Sequence, residues 1–221
     1  ANNSAGAIEN GDINPLTQLT IVNCLFDHNW VNIHAGAIFN SNINVTIMNC
    51  TFANNIAVNY PNAIKNLATG NQHSFYTITN SILWDDGNEI ENNSQYGIAE
   101  THIKNSDVQG CLPHGTWNDS YGIDDGNNQD FDPLFGGQYP YSLTSDSPCI
   151  DAGTDEGAPT TDILGNTRSG VPDMGAYEYG PWVSIKENPN STFNIQHSTL
   201  LEVSPNPFSY GTYVSYELKE T

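Results

Sequence analysis

The chain has 221 residues, with 25 Asp and Glu against 5 Lys and Arg, and a formal net charge of −20. A surface this acidic repels nucleic acid, anionic lipid and polyuronate chains, which argues against nucleic-acid partners, while it attracts divalent cations. No apolar run reaches the roughly twenty residues that a membrane-spanning helix needs, so we predict no membrane span.

A short phrase recurs through the first half of the chain. It reads TIVNCLF, TIMNCTF, TITNSIL and HIKNSDV, and it places an Asn at the same position in every copy, 25 to 31 residues apart: Asn23, Asn49, Asn80 and Asn105. Each copy is too short to enclose a core of its own and has to pack against its neighbours. The repeat therefore predicts a solenoid, with coils over residues 1–110.

Apolar and polar residues alternate within the copies, and Val, Ile, Thr, Phe and Tyr stand between Asn, Gly and Asp. Alternation with a period of two predicts short strands joined by turns. Because helical spacing is hard to find anywhere, we predict an all-β fold of parallel coils.

Equivalent residues of successive coils lie about 4.8 Å apart in such a fold. Asn tolerates left-handed backbone angles, and its amide can donate to the Asn of the next coil. We therefore predict that the four repeated Asn form an inward structural ladder and do not bind a ligand.

The cysteines fall into two pairs. Cys24 and Cys50 share one repeat position and are predicted to fill the core, because a disulfide between adjacent parallel strands is geometrically awkward. Cys111 and Cys149 lie near turns beyond the coils, where the sequence is compatible with free thiols or with a disulfide.

Few groups in the coils suit catalysis. Asp85 and Asp86, followed by Glu89, form the best local set of carboxylates for a glycoside hydrolase. A polysaccharide lyase needs fixed positive charge, for which Lys65 is a candidate. Adjacent strand residues point to opposite faces, however, and WDDGNE is typical of a Gly turn, so a structural turn is the favoured alternative.

Four aromatic residues near turns are candidates for binding a ligand, because such rings stack on sugars. They are Trp30, Tyr60, Trp84 and Trp117. Aromatic side chains also seal the ends of coils, and this alternative remains open.

The segment IDDGNNQDFDP follows the coils and is rich in carboxylates that suit Ca²⁺, a candidate cofactor. The candidate ligands are Asp124, Asp125, Asp130 and Asp132. Their spacing does not reproduce an EF-hand loop, and a solvated turn is the alternative.

Several motifs resemble known families. AGAI with FDHN, and AGAI with FANN, resemble the repeats of polymorphic outer-membrane proteins, which are right-handed, pectate-lyase-like β-helices. FDPLF, SPCIDAG, TDILGNTRSG and DMGAYEYG resemble the choice-of-anchor Q domain, whose members are secreted or surface-attached. This resemblance implies a C-terminal cap over residues 111–180, with structural roles for Asp151, Asp162 and Asp173 and with Arg168 as an ion-pair partner.

The last segments differ in pattern. Residues 181–199 lose the repeat and have the composition of a linker. VSPNPFSYGTYVSYEL resembles the opening of the C-terminal sorting domain of type IX secretion in Bacteroidota, so residues 200–221 are expected to begin a truncated β-sandwich. Further sequence is expected on both sides of the chain.

These observations predict a secreted, cell-surface protein of a Bacteroidota-like bacterium, which type IX secretion machinery exports. Non-catalytic binding or adhesion to an extracellular glycan or protein is the expected function. A carbohydrate-active enzyme, with active coils upstream or around Asp85 and Lys65, and a structural spacer are the alternatives.

Overall fold

The computed structural model describes residues 5–11 and 18–180. Helical structure in these ranges is limited to a 3-10 turn at Pro113–Gly115, and the rest consists of short strands and turns. The all-β prediction is therefore confirmed. The predicted linker and the predicted start of a sorting domain lie outside the described residues.

The strands are short, and most have two to six residues. In chain order they are β1 (Ile8–Gly11), β2 (Gln18–Val22), β3 (Leu25–Asp27), β4 (Trp30–Val31), β5 (Ile38–Ser41), β6 (Asn44–Met48), β7 (Thr51–Ala53), β8 (Ile56–Ala57), β9 (Ile64–Thr69), β10 (His73–Thr79), β11 (Ile82–Trp84), β12 (Ile90–Gln95), β13 (Ile98–Lys104), β14 (Asp107–Val108) and β15 (Ile123–Asp124).

Every pairing between these strands is parallel and joins successive coils. The first sheet has the order β1-β5-β9-β12, the second β2-β6-β10-β13-β15 and the third β3-β7-β11-β14, while β4 pairs with β8. The chain winds as a parallel β-solenoid of about four turns. The predicted parallel coils are confirmed, and their right-handed winding stays a prediction.

Matching side chains form the core because the register places them on top of one another. In the second sheet, Ile21, Ile47 and Ile78 pair in sequence and are buried. In the third sheet, Phe26 and Phe52 stack with ring centroids 4.6 Å apart. Burial of such columns is the main stabilising term of the solenoid, about 2 kcal/mol for each buried side chain.

A fifth, incomplete coil follows residue 110. β15 pairs with His102 and Ile103 of β13, and Gln129 forms a parallel bridge with Asp107 in β14. This coil therefore extends the second and third sheets. Residues 112–121, which connect β14 to β15, pack over this end of the solenoid: Trp117 lies against the core, and the Tyr121 hydroxyl donates to Gly87 O at 2.8 Å.

Residues 131–180 have little regular structure and pack along the coils; we call them the lateral cap. Their apolar cluster joins Leu143, Cys149 and Met174 to Ile82 of β11. The lateral cap thus lies along the side of the solenoid, and the predicted cap domain over residues 111–180 stays a prediction.

Candidate functional site

The four repeated Asn hold the lateral cap. All four have φ between 46° and 50°, in the left-handed region that Asn tolerates. Asn80 Nδ2 lies 3.3 Å from Asn49 Oδ1, which is a bond of the predicted ladder. Asn80 also donates to Thr154 O at 2.8 Å and accepts from Thr154 N at 2.8 Å, and Asn49 donates to Asp173 O at 3.0 Å.

The outer members of this column, Asn23 and Asn105, also bond to backbone groups of the cap. Asn23 Nδ2 donates to Thr161 O at 2.7 Å, and Asn105 Nδ2 lies 3.3 Å from Gly153 O. The expected ladder therefore has one Asn–Asn bond, between Asn80 and Asn49, and its other amide bonds go to the cap. Most of these amides satisfy backbone groups of the cap, because the corner where they lie is covered by chain.

An inward Asn column exists at a different corner. Its members end the repeated Ile-x-Asn phrase of the first sheet and are Asn10, Asn40, Asn66 and Asn92. Asn66 Nδ2 donates to Asn92 Oδ1 at 3.1 Å, and Asn40 Nδ2 donates to the Tyr76 hydroxyl at 2.6 Å. The sequence signal for this column is the recurrence of IEN, IFN, IKN and IEN in the first four coils.

A third column ends in an acid. Asn29 donates from Nδ2 to Asn55 Oδ1 at 2.8 Å, and Asn55 donates from its backbone N to Asp85 Oδ1 at 2.7 Å. Asp85 is 2% exposed and has taken the position of an amide. Its neighbour Asp86 is exposed at the following turn, so the two carboxylates do not share a surface.

Glu89 faces Asp85 in the interior. Glu89 Oε1 accepts from the backbone N of Asp85 and of Gly87, and Glu89 Oε2 is buried without a donor. Burial raises the pKa of Asp85 to about 7, against the hydrogen bonds from Asn55. Burial and the charge of Asp85 also raise the pKa of Glu89 well above its ordinary value, which favours protonation of these buried carboxyls.

Lys65 is equally withdrawn from solvent. It is 5% exposed, its Nζ lies 3.0 Å from Glu91 Oε1, and the Tyr60 ring covers it at 4.6 Å from Nζ to the centroid. Asp85 and Lys65 are thus buried and engaged, and a polysaccharide cannot reach either side chain in this conformation.

Each of the predicted calcium ligands already contacts a donor group of the protein. Asp124 accepts from Gly126 N, Asp130 from Gly110 N and Leu112 N, and Asp132 from Leu134 N, while Asp125 contacts His102. Within residues 5–11 and 18–180, no three His, Cys, Asp or Glu side chains are placed to hold a metal ion. The Ca²⁺ site stays a prediction.

Arg168 pairs with a residue that the sequence analysis did not select. Its Nη1 lies 3.0 Å from Glu178 Oε2, and both side chains are buried. Asp162 and Asp173 accept backbone N–H bonds, from Glu178 and Asp151 respectively. The expected partnership of Arg168 with the three Asp of the cap is corrected, since Glu178 supplies the neutralising charge.

The cysteines are all free. Cys50 fills the core as predicted, and Cys24 packs against the same cluster. Cys149 donates to Asp107 Oδ2 at 3.0 Å, and Cys111 donates to Gln129 O at 3.4 Å. The two alternatives for Cys111 and Cys149 thus resolve to free, hydrogen-bonded thiols in this structure.

The aromatic candidates lie on different faces. Trp30 is 58% exposed beside Ile56, whereas Trp84 packs against the core of the lateral cap. Trp117 is half-buried on the main core, with its Nε1 donating to Gly122 O at 2.8 Å. They do not form one aromatic platform.

Two adjoining cavities open where residues 112–121 cross the last coil; we call them the end groove. The first holds about 490 Å³ beside Tyr60 and Glu91, and the second holds about 420 Å³ beside Glu100 and Trp117. The two cavities share Asn92 and Asp119. Sequence reasoning missed Asn92, Glu100 and Asp119, because they meet only through the winding of the chain.

A scan against models of known protein families finds no match to this chain, and searches of curated proteins and of solved structures find no significant match either. In the part of the chain that the structure describes, no helix has the length and apolar character needed to cross a bilayer.

Proposed function

We propose that this chain is a non-catalytic binding protein whose ligand is an extracellular glycan or protein. The observation that carries the proposal is that a ligand can reach the end groove but not the candidate catalytic residues. Asp85 and Lys65 are buried and engaged, while the end groove is open and is lined by carboxylate and aromatic side chains, among them Glu100, Asp119 and Trp117. A rigid surface of this kind suits recognition, since its side chains are fixed by neighbouring coils.

The extracellular location belongs to the same proposal. It is supported by the resemblance of SPCIDAG, TDILGNTRSG and DMGAYEYG to the choice-of-anchor Q domain, and of VSPNPF to the type IX sorting domain. The first resemblance suggests secretion or attachment to the cell surface, and the second suggests export by a Bacteroidota-like bacterium. The high acidic charge agrees with this location, because a large net charge keeps a secreted protein in solution.

Arrays of glycans and of peptides, probed with the labelled chain, test the binding proposal, and incubation with plant and algal polysaccharides tests catalysis. We expect retention on at least one array and no released oligosaccharide. Cleavage that is lost in Asp85→Asn but kept in Asp86→Asn would establish the enzyme alternative. Retention on neither array would leave a spacer and refute the proposal.

A further inference from the structure

The first sheet lacks a strand that its neighbours possess. The fifth coil adds β15 to the second sheet and Gln129 to the third. Among the described residues, the first sheet ends at β12, whose outer edge pairs with no strand. Residues 112–121 lie over this end without joining the sheet. The last strand of the first sheet, β12, therefore has one edge without a partner strand.

The hydrogen bonds between β12 and β9 show which backbone groups of β12 point away from β9. Ile64 N donates to Glu89 O, and bonds alternate along a parallel pair, so Glu91 and Asn93 face β9. Ile90, Asn92 and Ser94 then direct their N–H and C=O groups outward. Ser94 is exposed, so the far half of this edge is accessible.

The groove beside this edge is acidic. Its lining includes Glu91, Glu100, Asp119 and Asp124, and none of its lining residues is Lys, Arg or His. Lys65 neutralises Glu91, but no ion pair within the described ranges involves the other three carboxylates. An extended segment in the groove would place alternate side chains beside these charges.

We propose that the open edge of β12 binds an extended peptide with Lys or Arg at alternate positions, as an added strand of the first sheet. This inference rests on the proposed binding function and names its ligand. Main-chain hydrogen bonds supply affinity, and the carboxylates select basic side chains. Trp117 and the exposed Ile123 provide apolar contacts for the intervening residues.

Calorimetric titration of the full chain with two synthetic octapeptides tests this inference. One alternates Lys with Val and Thr, and the other has Glu in place of every Lys. We expect the Lys peptide to bind and the Glu peptide to fail. Binding should weaken about tenfold between low and physiological salt, because the groove charges are exposed.

Ser94→Pro removes an outward N–H, and Ser94→Ala is its matched control, since both lose the hydroxyl that accepts from Ala99 N. We expect about three- to tenfold weaker binding in Ser94→Pro than in Ser94→Ala. Glu100→Gln with Asp119→Asn should weaken binding similarly, whereas Asp155→Asn, outside the groove, should not.

If Ser94→Pro does not fold, a Lys peptide with alternate N-methylated amides replaces it and should not bind the unaltered chain. Equal affinity for both peptides, or an unchanged affinity in Ser94→Pro, overturns the inference. Glycan binding that Trp117→Ala abolishes, with no peptide bound, also overturns it but leaves the proposed function standing. Failure of every glycan and peptide refutes both.

Discussion

The polar column of Asn29, Asn55 and Asp85 differs from an ordinary amide ladder in one residue, because its last member is a carboxylic acid. Asn55 accepts from Asn29 of the preceding coil and donates to Asp85 of the next, whereas an ionised Asp85 offers acceptors alone. The adjacent Glu89 cannot supply a donor when ionised. A carboxyl thus stands at a buried amide position beside a second buried carboxyl, burial raises the pKa of both, and stability near this site depends on pH.

Asp85→Asn should stabilise the protein at neutral and higher pH. A carboxyl whose folded pKa is raised contributes stability that is complete below its ordinary pKa of 3.8 and is lost as the pH rises through about 7. The amide has no such loss and can donate to Glu89. We expect a gain of roughly 2 kcal/mol near pH 8 and little difference near pH 4, measured by urea unfolding.

Asp86→Asn is the control, because Asp86 is the exposed neighbour on the same turn. It should leave unfolding unchanged across this range. A gain in Asp85→Asn that does not depend on pH would show that the two buried carboxyls are not the source.

The four thiols should differ in reactivity. Hydrogen bonding from Cys50 lowers the pKa of the half-buried Cys24 to about 7, and burial raises the pKa values of Cys50, Cys111 and Cys149. Iodoacetamide near pH 8 should therefore label Cys24 at least tenfold faster, as followed by peptide mass spectrometry. In guanidinium chloride all four should react alike, and equal labelling of the native chain would contradict the assignment.

At the scale of elements, one corner of the coils carries the lateral cap. Gly175 has φ +95°, and an added Cβ would lie 2.8 Å from Ile82 Cδ1 and Thr51 Oγ1. A Cβ on Gly153 would lie 2.9 Å from Asn80 Oδ1. These contacts explain why the motifs SPCIDAG and DMGAYEYG contain glycine where the cap meets the column of Asn. The cap and the coils therefore stabilise each other.

Asn80→Gly should loosen this attachment. Glycine keeps the left-handed angle but removes the bonds to Asn49 and Thr154 and leaves their buried groups unpaired. We expect a loss of about 2–4 kcal/mol in the free energy of unfolding. Asn127→Gly is the matched control, since Asn127 also has a positive φ but is exposed. This control should change the free energy of unfolding by less than about 0.5 kcal/mol. Equal effects would mean that the backbone angle matters and the amide does not.

At the scale of the whole molecule, repulsion between acidic side chains destabilises the folded state. Each basic residue of the described ranges already has a Glu partner: Lys65 with Glu91, Lys104 with Glu156 and Arg168 with Glu178. Within these ranges no Lys or Arg remains to pair with the other carboxylates, and the chain has 25 acidic against 5 basic residues. The same excess gives the end groove its preference for a basic partner.

Added salt should stabilise the chain. Raising NaCl from about 10 to about 200 mM screens repulsion between exposed carboxylates, so Tm should rise by about 2–4 °C in calorimetry. Choline chloride at equal ionic strength should act alike, because screening does not depend on the cation. A constant or falling Tm would indicate that self-repulsion is not a significant term.

The sequence by itself determined the repeat, the strands and the parallel solenoid, because residues of one coil can be buried only by their equivalents in the next. Tertiary structure decided what each column does. The Asn of the TIVNC phrase were visible as a repeat, but their partners in the cap are up to 145 residues away, and no local pattern encodes such a contact. The end groove likewise forms where separated segments meet, so its residues carry no periodic signal. Burial of Asp85 and Lys65 also depends on neighbouring coils, which is why residues that the sequence offered for catalysis are structural in the fold.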